Sequence, residues 1–268
     1  MSMKFSKWTG LGNDFVFVEP GQPVKYGPEF EQEVIRLCDR RFGIGADGVV
    51  VITPMDGDFE MRIFNADGSE AAMCGNATRC VAKFIVSRGL AKPGQKVFNL
   101  HTKSGLVKPA LLDDGRVCVD MGLPRDFLGS IKLTADSFDF TAETVSMGNP
   151  HAVIFVDDIE KIQLEKWGSI LEVDKQFPDR CNIEFAQVVA PTQIRMRVWE
   201  RGCGVTMACG TGSCATLVAA QRTGRVGAEA DIVLDGGVLH IKHEEGGPVL
   251  MTGPAQEVFR GEIQVCSV

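Results

Sequence analysis

The 268-residue sequence has no apolar run that approaches the length of a membrane span, and it has no low-complexity tract. A chain without such a run is not expected to cross a bilayer. Its first residues also lack an apolar core of signal-peptide length, so we expect a cytoplasmic protein. The net charge of −7 and the lack of clustered lysine and arginine argue against nucleic-acid and membrane-surface partners.

The cysteines lack the spacing of a structural metal site. There are nine, an odd number; none are spaced as C-x-x-C, and only four histidines accompany them. This pattern favours reduced thiols over a disulfide framework and argues against zinc. The glycines of GIGADG at 43–48 lead into a strand pattern, without the helix and lysine of a nucleotide-binding loop. We therefore expect neither a metal nor a cofactor.

An internal repeat organises the sequence. When the segment Met61–Lys83 is moved forward by 135 positions, Cys74 falls on Cys209 and Gly75 on Gly210. Each copy places one cysteine between a strand-like run and a helix that starts with glycine. The chain is about twice the offset in length, which indicates two domains of ordinary size. We expect these to be 1–121 and 122–260, with the tail 261–268 available to complete the first.

The apolar periodicity predicts a similar series of elements in both halves. Residues 3–18 and 145–156 each contain a Gly–Asn turn followed by an apolar strand. Helices are predicted at 24–41, from Cys74 to a stop at Gly89, at 160–171 and at 210–222. Strands are predicted at 49–53, 59–64, 97–100, 105–111, 116–121, 182–189 and 194–198, with hairpin turns at 236–237 and 246–247.

Cys74 and Cys209 occupy positions that suit acid–base chemistry. A free thiol is mostly protonated at neutral pH, but the N–H groups and dipole of a helix N-terminus favour the thiolate. The same N–H groups can hold a carboxylate. Two such thiols on opposite faces of one carbon could remove a proton and return it, which inverts a stereocentre. Oriented N–H groups in a site without water would then stabilise the carbanion.

A set of motifs runs through the sequence in a specific order. They are GLGNDF at 10–15, GIGADG at 43–48, FNADGSE at 64–70, MCGN at 73–76, MGNPHAV at 147–153, NIEF at 182–185, ERG at 200–202, ACGTG at 208–212 and MTGPA at 251–255. With these motifs the sequence resembles the bacterial diaminopimelate epimerases, members of the cofactor-independent two-cysteine racemase and epimerase superfamily. The resemblance implies interconversion of LL- and meso-diaminopimelate, a step toward lysine and peptidoglycan precursors.

The resemblance also implies the fold and the assembly. It indicates an α+β protein of two pseudo-symmetric lobes, each a mostly antiparallel sheet wrapped round a central helix, with the active site in the cleft between them. The repeat read from the residues leads to the same layout. Members of this family are commonly homodimers, so a homodimer is expected.

Site residues are carried over from the family onto matching positions. Cys74 and Cys209 would be the acid–base pair, with His151 and Glu200 assisting the thiols. Arg201 would clamp the distal carboxylate of the substrate in a bidentate pair, for which its planar guanidinium is suited. The full set of implied substrate contacts is Asn13, Asn65, Gly75, Asn76, Asn149, Asn182, Glu200, Arg201, Gly210 and Thr211.

Some positions depart from the family pattern. Gly48 stands where some members carry a glutamine that touches substrate, Ala77–Thr78 replaces the commoner Gly–Ala, and Cys203 and Val205 replace the usual alanine and glutamate. These changes bear on substrate range more than on chemistry. The remaining cysteines are interpreted as inert core residues, except Cys203, whose loop position assigns it no role; they are Cys38, Cys80, Cys118, Cys181, Cys214 and Cys266.

Other interpretations remain open. The same fold could racemise glutamate, proline or hydroxyproline, or carry out an allylic isomerisation. A protein of a different class would use a Cys74–Cys209 disulfide for redox sensing or binding. Purely structural roles are also open: His151, Asn13 and Asn65 could be turn residues, and Glu200–Arg201 could be a solvated charge pair.

Overall fold

The computed structural model describes residues 2–265, and the chain divides into two compact units. The first unit ends at Val119 and resumes at Gly253, and the second is Asp120–Thr252. The structure therefore places residues 253–260 in the first unit, whereas the expected boundary put them in the second. The last three residues of the tail, 266–268, lie outside the described residues.

Strands dominate the described chain. The first nine are β1 (Ser2–Gly10), β2 (Asn13–Val18), β3 (Gly48–Pro54), β4 (Phe59–Asn65), β5 (Glu70–Ala71), β6 (Leu100–Thr102), β7 (Gly105–Val107), β8 (Ala110–Leu111) and β9 (Val117–Asp120). The next nine are β10 (Arg125–Ala135), β11 (Phe138–Ser146), β12 (Pro150–Phe155), β13 (Asn182–Ala190), β14 (Gln193–Glu200), β15 (Gly204–Val205), β16 (Glu229–Leu234), β17 (Gly237–His243) and β18 (Val249–Gly253). The last is β19 (Gln256–Gln264).

The helices are α1 (Pro28–Cys38), α2 (Gly75–Ser87), α3 (Leu164–Leu171) and α4 (Gly210–Arg222), with a single 3₁₀ turn at Ile159–Lys161. Among the described residues, no helix is both long enough and apolar enough to cross a membrane.

The sheet of the first unit has the strand order β19-β1-β2-β3-β4-β6-β7, with β5 paired to β4. Its pairs are antiparallel except β2 with β3 and β4 with β6. Both faces of β2 are covered: Val16 and Val18 pack in the core that contains α1, while Phe17 packs against Phe84 of α2. A strand segment buried on both faces is apolar throughout, as Phe15–Val18 is.

The second unit repeats this topology. Its order is β10-β11-β12-β13-β14-β16-β17-β18, with β15 on β14, and the parallel pairs are β12 with β13 and β14 with β16. Ile183 and Phe185 of β13 pack with α3, so the side chains that alternate with them project from the opposite face, on which α4 lies. This alternation directs Asn182 and Glu184 toward the start of α4.

The internal repeat is confirmed at the level of individual residues. Helices α2 and α4 each contain 13 residues, and the offset that superposes Cys74 on Cys209 carries one helix onto the other at both ends. Each helix is followed by a glycine in the left-handed region, Gly89 at φ 66° and Gly224 at φ 68°, as a C-terminal stop requires. Mostly antiparallel sheets around a central helix are thus confirmed for both units.

Several element boundaries differ from the prediction, each for a local reason. Helix α1 begins at Pro28 because proline suits the first helical position and Gly27, at φ 143°, interrupts the chain before it. The helix predicted at 160–171 is divided: Asp158 caps the short 3₁₀ turn, and α3 begins only at Leu164. The hairpin of β10 and β11 was not predicted: the first six residues of β10 are exposed, and only its second half, Ile131, Leu133 and Ala135, shows apolar alternation.

Candidate active site

The first half-site lies at the start of α2. Cys74 is the N-cap, with extended backbone at φ −142° and ψ 117°. The backbone N–H and the hydroxyl of Thr78 both donate to the Cys74 carbonyl, each at 2.9 Å, and so define where the helix begins. The thiol is consequently held at the positive end of the helix, among N–H groups that lack partners within the helix itself.

Asn13 and Asn76 flank the Cys74 sulfur. Asn76 Nδ2 donates to Asn13 Oδ1 at 3.1 Å, and the same oxygen lies 3.7 Å from Cys74 Sγ. Asn13 Nδ2 in turn donates to Asp47 Oδ2 at 2.7 Å, which fixes the orientation of its amide. Three of the site residues expected in this lobe are therefore brought together, and Gly75 adjoins them as the first residue of α2.

A partly exposed ion cluster supports this asparagine. Asp14 lies 2.6 Å from Lys7 Nζ and 2.7 Å from Arg40 Nη2, and Arg40 also binds Asp47 at 2.7 Å. Burial opposes ionisation of Asp14, but the hydrogen bonds from Arg40 and Lys7 outweigh it and lower the pKa of the carboxyl. The cluster holds Asp47 through Arg40, and Asp47 in turn accepts the hydrogen bond from Asn13.

The second half-site lies at the start of α4. Cys209 is the N-cap and is 4% exposed, and the Gly212 N–H donates to its sulfur at 3.3 Å. The backbone N–H of Ser213 and its hydroxyl both donate to the Cys209 carbonyl, at 3.0 and 2.8 Å. This arrangement repeats the role of Thr78 at Cys74, so the two cysteines share a local backbone design.

A hydrogen-bonded chain approaches Cys209 from β12 and β13. His151 Nδ1 lies 2.7 Å from Glu184 Oε1, and His151 Nε2 lies 3.1 Å from Asn149 Oδ1. Asn149 Nδ2 donates to Thr211 Oγ1 at 3.3 Å, and that hydroxyl lies 3.6 Å from the Cys209 sulfur. His151 and Glu184 have no exposed surface. Four site residues expected in this lobe are thus joined into one network.

Glu200 completes the surroundings of the Cys209 sulfur. Burial raises the pKa of the Glu200 carboxyl, while hydrogen bonds from Thr206 and from Cys209 oppose that rise. Burial likewise raises the pKa of the Cys209 thiol well above its ordinary value; Glu200 and Glu184 raise it further, and Thr211 and Gly212 offset this only in part. The expectation that the helix N-terminus makes this thiol acidic is wrong for Cys209, because desolvation outweighs the helix.

Asn182 connects this network to the ERG turn. Its Nδ2 donates to the Pro150 carbonyl at 2.8 Å, and its Oδ1 accepts from the Arg201 backbone N–H at 2.9 Å. The guanidinium of Arg201 is exposed and donates to the Asp179 carbonyl at 3.2 Å. Glu172 holds the same turn through the Gly202 N–H at 2.8 Å. Arg201 therefore combines a fixed backbone with a side chain directed to the surface of its unit.

Two glycines allow close approaches at these half-sites. A Cβ on Gly212 would lie 2.7 Å from Glu184 Oε1 and 3.2 Å from Cys209 Sγ. A Cβ on Gly48 would lie 2.5 Å from the Phe64 carbonyl oxygen. At both positions any side chain would collide with a neighbour. The glycine at 48 is thus required by the packing of β3 against β4, and a glutamine would not fit there without a shift of that carbonyl.

Of the two remaining predicted residues, Asn65 lies apart from these contacts and Gly210 adjoins Cys209. Asn65 ends β4, and its Nδ2 donates to Ser69 Oγ at 3.0 Å, which is a turn contact. Gly210 is the first residue of α4. Among residues 2–265, no group of three or more histidine, cysteine, aspartate or glutamate side chains could hold a metal ion.

The cysteines outside the two half-sites differ in exposure. Burial raises the pKa of Cys38 and Cys80 to about 12, and it raises the pKa of Cys181 as well. Cys214 is buried, as expected for an inert residue, but Cys118 is only half-buried. Cys203 is exposed, and Cys266 lies outside the described part of the chain.

Three residues that build the site were not predicted from the sequence: Glu184, Asp47 and Glu172. Glu184 had a detectable signal, because it is the one charged residue in the buried strand segment NIEFA. A charged side chain at such a position is rarely buried without a partner. Asp47 and Glu172 gave no comparable signal, since both stand among turn and surface residues in the sequence.

Solved structures share the whole fold. A hydroxyproline epimerase from Agrobacterium vitis superposes with a TM-score of 0.72 at 17% identity, covering 98% of this chain and 92% of that one. A predicted epimerase from Pseudomonas aeruginosa superposes equally well, with a TM-score of 0.72 at 16% identity over 98% of this chain. At these identities the likeness establishes the fold alone.

Sequence comparison is more specific. The diaminopimelate epimerase family model matches residues 5–126 and 143–258. The diaminopimelate epimerase of Synechococcus elongatus is 44% identical over all of this chain and all of its own. That of Bacteroides thetaiotaomicron is 47% identical, with 98% of each chain covered. The chain belongs to the diaminopimelate epimerase family.

Proposed function

We propose that this protein interconverts LL- and meso-diaminopimelate by proton transfer at the α-carbon, with Cys74 and Cys209 as the two acid–base groups. The observation that carries the proposal is the pair of cysteine N-caps at equivalent starts of α2 and α4, in a chain that matches diaminopimelate epimerases over its full length. The reaction supplies intermediates for lysine and peptidoglycan synthesis.

The chemistry requires no external oxidant or reductant. One cysteine, as thiolate, takes the α-proton, so that a Cα–H bond breaks and an S–H bond forms. The other cysteine, as thiol, gives its proton to the opposite face of the carbanion, and the configuration is inverted. Because its pKa is raised, Cys209 is the thiol before substrate binds and acts as the donor. For the reverse direction Cys209 must first lose its proton, for which Glu200 is the neighbouring acceptor, and Cys74 must take up a proton from solvent so that it can act as the donor.

Substrate binding follows from the groups around each sulfur. The N–H groups at the starts of α2 and α4 are suited to the carboxylate on the reacting carbon, where they also stabilise the charge that develops. Arg201 is suited to the distal carboxylate, because a guanidinium can bind both of its oxygens. Asn13, Asn65, Asn76, Asn149 and Asn182 would then bind the polar groups of the substrate.

Deuterium exchange tests this function. The protein should introduce solvent deuterium at Cα of LL-diaminopimelate in heavy water while the meso isomer accumulates, as measured by mass spectrometry and chiral chromatography. Cys74→Ala and Cys209→Ala should each abolish epimerisation, whereas the control Cys118→Ala should retain it. Full activity in either site variant would contradict the two-cysteine mechanism.

A substrate panel separates the alternatives. Turnover of proline, hydroxyproline or glutamate in preference to diaminopimelate would indicate a different racemase on the same fold. A reversible Cys74–Cys209 disulfide without turnover of any of these compounds would favour a redox sensor. We also propose that the protein acts in the cytoplasm, where reducing conditions keep both thiols available, and that it forms a homodimer.

A further inference from the structure

Glu184 is a buried acid with only one side of its carboxyl group occupied. Its Oε1 contacts His151 Nδ1 at 2.7 Å, and its Oε2 has no hydrogen-bond partner among the described residues. The side chain has no exposed surface. Burial of a polar atom without a partner is costly, so a carboxyl group in this position needs a compensating role.

The hydrogen bonds fix the protons of this network. Asn149 donates through Nδ2 to Thr211, so its Oδ1, which faces His151 Nε2, must accept. His151 therefore carries a proton on Nε2. The 2.7 Å contact between Nδ1 and Glu184 then needs one further proton, shared between the imidazole and the carboxyl group. The pair as a unit is neutral, whichever atom holds that proton.

The same logic gives the network a direction. The Thr211 hydroxyl accepts from Asn149, which leaves its own proton free to point at Cys209 Sγ, 3.6 Å away. Each group in the series donates to the next, beginning at the Glu184–His151 pair and ending on the sulfur. A donor directed at the sulfur favours the thiolate and opposes the effect of burial.

We infer that Glu184 is a positioning residue: by fixing the proton of His151 on Nε2, it orients Asn149 and Thr211 so that the last donor of the series faces Cys209. This inference rests on the proposed role of Cys209 as acid and base. Glu184 lies on the same side of Gly212 as the sulfur, as the close approaches to that glycine demonstrate. A charged Glu184 alone would raise the pKa of Cys209, as Glu200 of β14 does. Because the proton shared with His151 makes the Glu184–His151 pair neutral as a unit, the donor series is the effect that remains.

Labelling of Cys209 by iodoacetamide across a pH series tests the inference without any substrate. In a Cys74→Ala background, the extent of labelling is measured by mass spectrometry on the peptide that contains Cys209. Glu184→Ala should raise the midpoint pH by about one unit, equivalent to about tenfold slower labelling at a fixed lower pH. Thr211→Val, which removes the last donor, should shift it in the same direction.

Glu184→Gln distinguishes an effect of the hydrogen bond to His151 from an effect of the Glu184 charge. Its amide can donate to His151 Nδ1 and leave the Nε2 proton in place, so the midpoint should match that of the parent protein. The matched control Glu33→Gln, a buried glutamate of α1 bound to Arg36, should also leave it unchanged. If Glu184→Ala fails to fold, Thr211→Val and Glu184→Gln still decide the question.

Three outcomes would overturn the inference. They are an unchanged midpoint in Glu184→Ala and Thr211→Val, a lower midpoint in Glu184→Ala, and an equal rise in Glu184→Gln and Glu184→Ala. The second would assign Glu184 the effect of a simple negative charge. Because labelling needs no turnover, absence of epimerase activity together with the expected shifts would contradict the proposed function and leave this inference intact.

Discussion

Asn13 Oδ1 lies 3.7 Å from the sulfur of Cys74 and accepts a hydrogen bond from Asn76. The contact joins the turn between β1 and β2 to the start of α2, and its partner Asp47 precedes β3. A single amide thus connects three segments of the first unit to the thiol. Its neutrality matters, because the oxygen that it places beside the sulfur is uncharged.

Asn13→Asp should therefore weaken the nucleophilicity of Cys74. A carboxylate beside the sulfur disfavours the thiolate, so labelling of Cys74 by iodoacetamide at neutral pH should slow about tenfold in a Cys209→Ala background. Asn99→Asp is the matched control, since Asn99 also donates to an aspartate, Asp58 at 2.9 Å, but lies outside the site. Labelling of the Asn13 variant at the parent rate would contradict this prediction.

Glu200→Gln should lower the activity and raise the stability of the protein at neutral pH. Loss of the proton acceptor beside Cys209 should lower kcat about 100-fold. The pKa of Glu200 is raised by burial above its ordinary value of 4.5, so the ionised side chain destabilises the folded protein at neutral pH. Wild-type protein should lose stability relative to the variant as the pH rises above 4.5.

Thermal unfolding of both proteins, measured across a pH range, tests the direction of this stability difference. The variant should have the higher Tm at pH 7, and the difference should vanish below pH 4.5, where the carboxyl is protonated in both folded and unfolded states. An equal Tm at pH 7 would mean that other groups already compensate the buried charge.

Gly212→Ala should disturb the second half-site more than the fold. The added Cβ would lie 2.7 Å from Glu184 Oε1 and 3.2 Å from the Cys209 sulfur, so one of these groups must move. Displacements of this size change proton-transfer geometry, and we expect kcat to fall at least tenfold with little change in KM. Gly227→Ala is the matched control, because a Cβ there meets nothing within 4 Å.

The two central helices and their cysteine caps could be predicted from sequence because the repeat encodes them directly. The glycine that starts α4, the small residues along it and Gly224 at its end are local signals, and local signals determine helix limits. The exposed first half of β10 offers no such signal. Its place in the sheet is set by antiparallel pairing with β11, a contact that apolar periodicity does not report.

His151 and Glu200 could be predicted only as members of motifs, and the electrostatics of the acid–base residues could not be predicted at all. Position at a helix start predicted an acidic Cys209, yet its pKa is raised by burial and by two carboxylates. One of these, Glu184, comes from β13, where the alternation of a strand buried on both faces decides which way it projects. Such effects depend on tertiary packing, which a sequence motif does not contain.

Arg88, which follows α2, links the C-terminal strand β19 of the first unit to the end of β2. This side chain is 7% exposed and binds Glu19 after β2 at 2.6 Å and Glu257 of β19 at 3.0 Å. Arg88→Met would leave two partly buried carboxylates without their partner, so we expect a loss of about 2 kcal/mol in unfolding free energy. Hydrogen exchange should accelerate in β1 and β19, which pair with each other.

The pH dependence of that loss provides the sharper test. The hydrogen bond to Arg260, followed by those to Arg88, lowers the pKa of Glu257 to about 2, and Arg88 lowers the pKa of Glu19 despite burial. The wild-type advantage should be complete above pH 4.5 and should decline as the pH falls toward about 2, because both carboxyls are then protonated. Arg116→Met, which removes the exposed pair with Asp114, should cost little at any pH. A constant difference between wild type and Arg88→Met across this range would show that Arg88 stabilises β19 by packing alone.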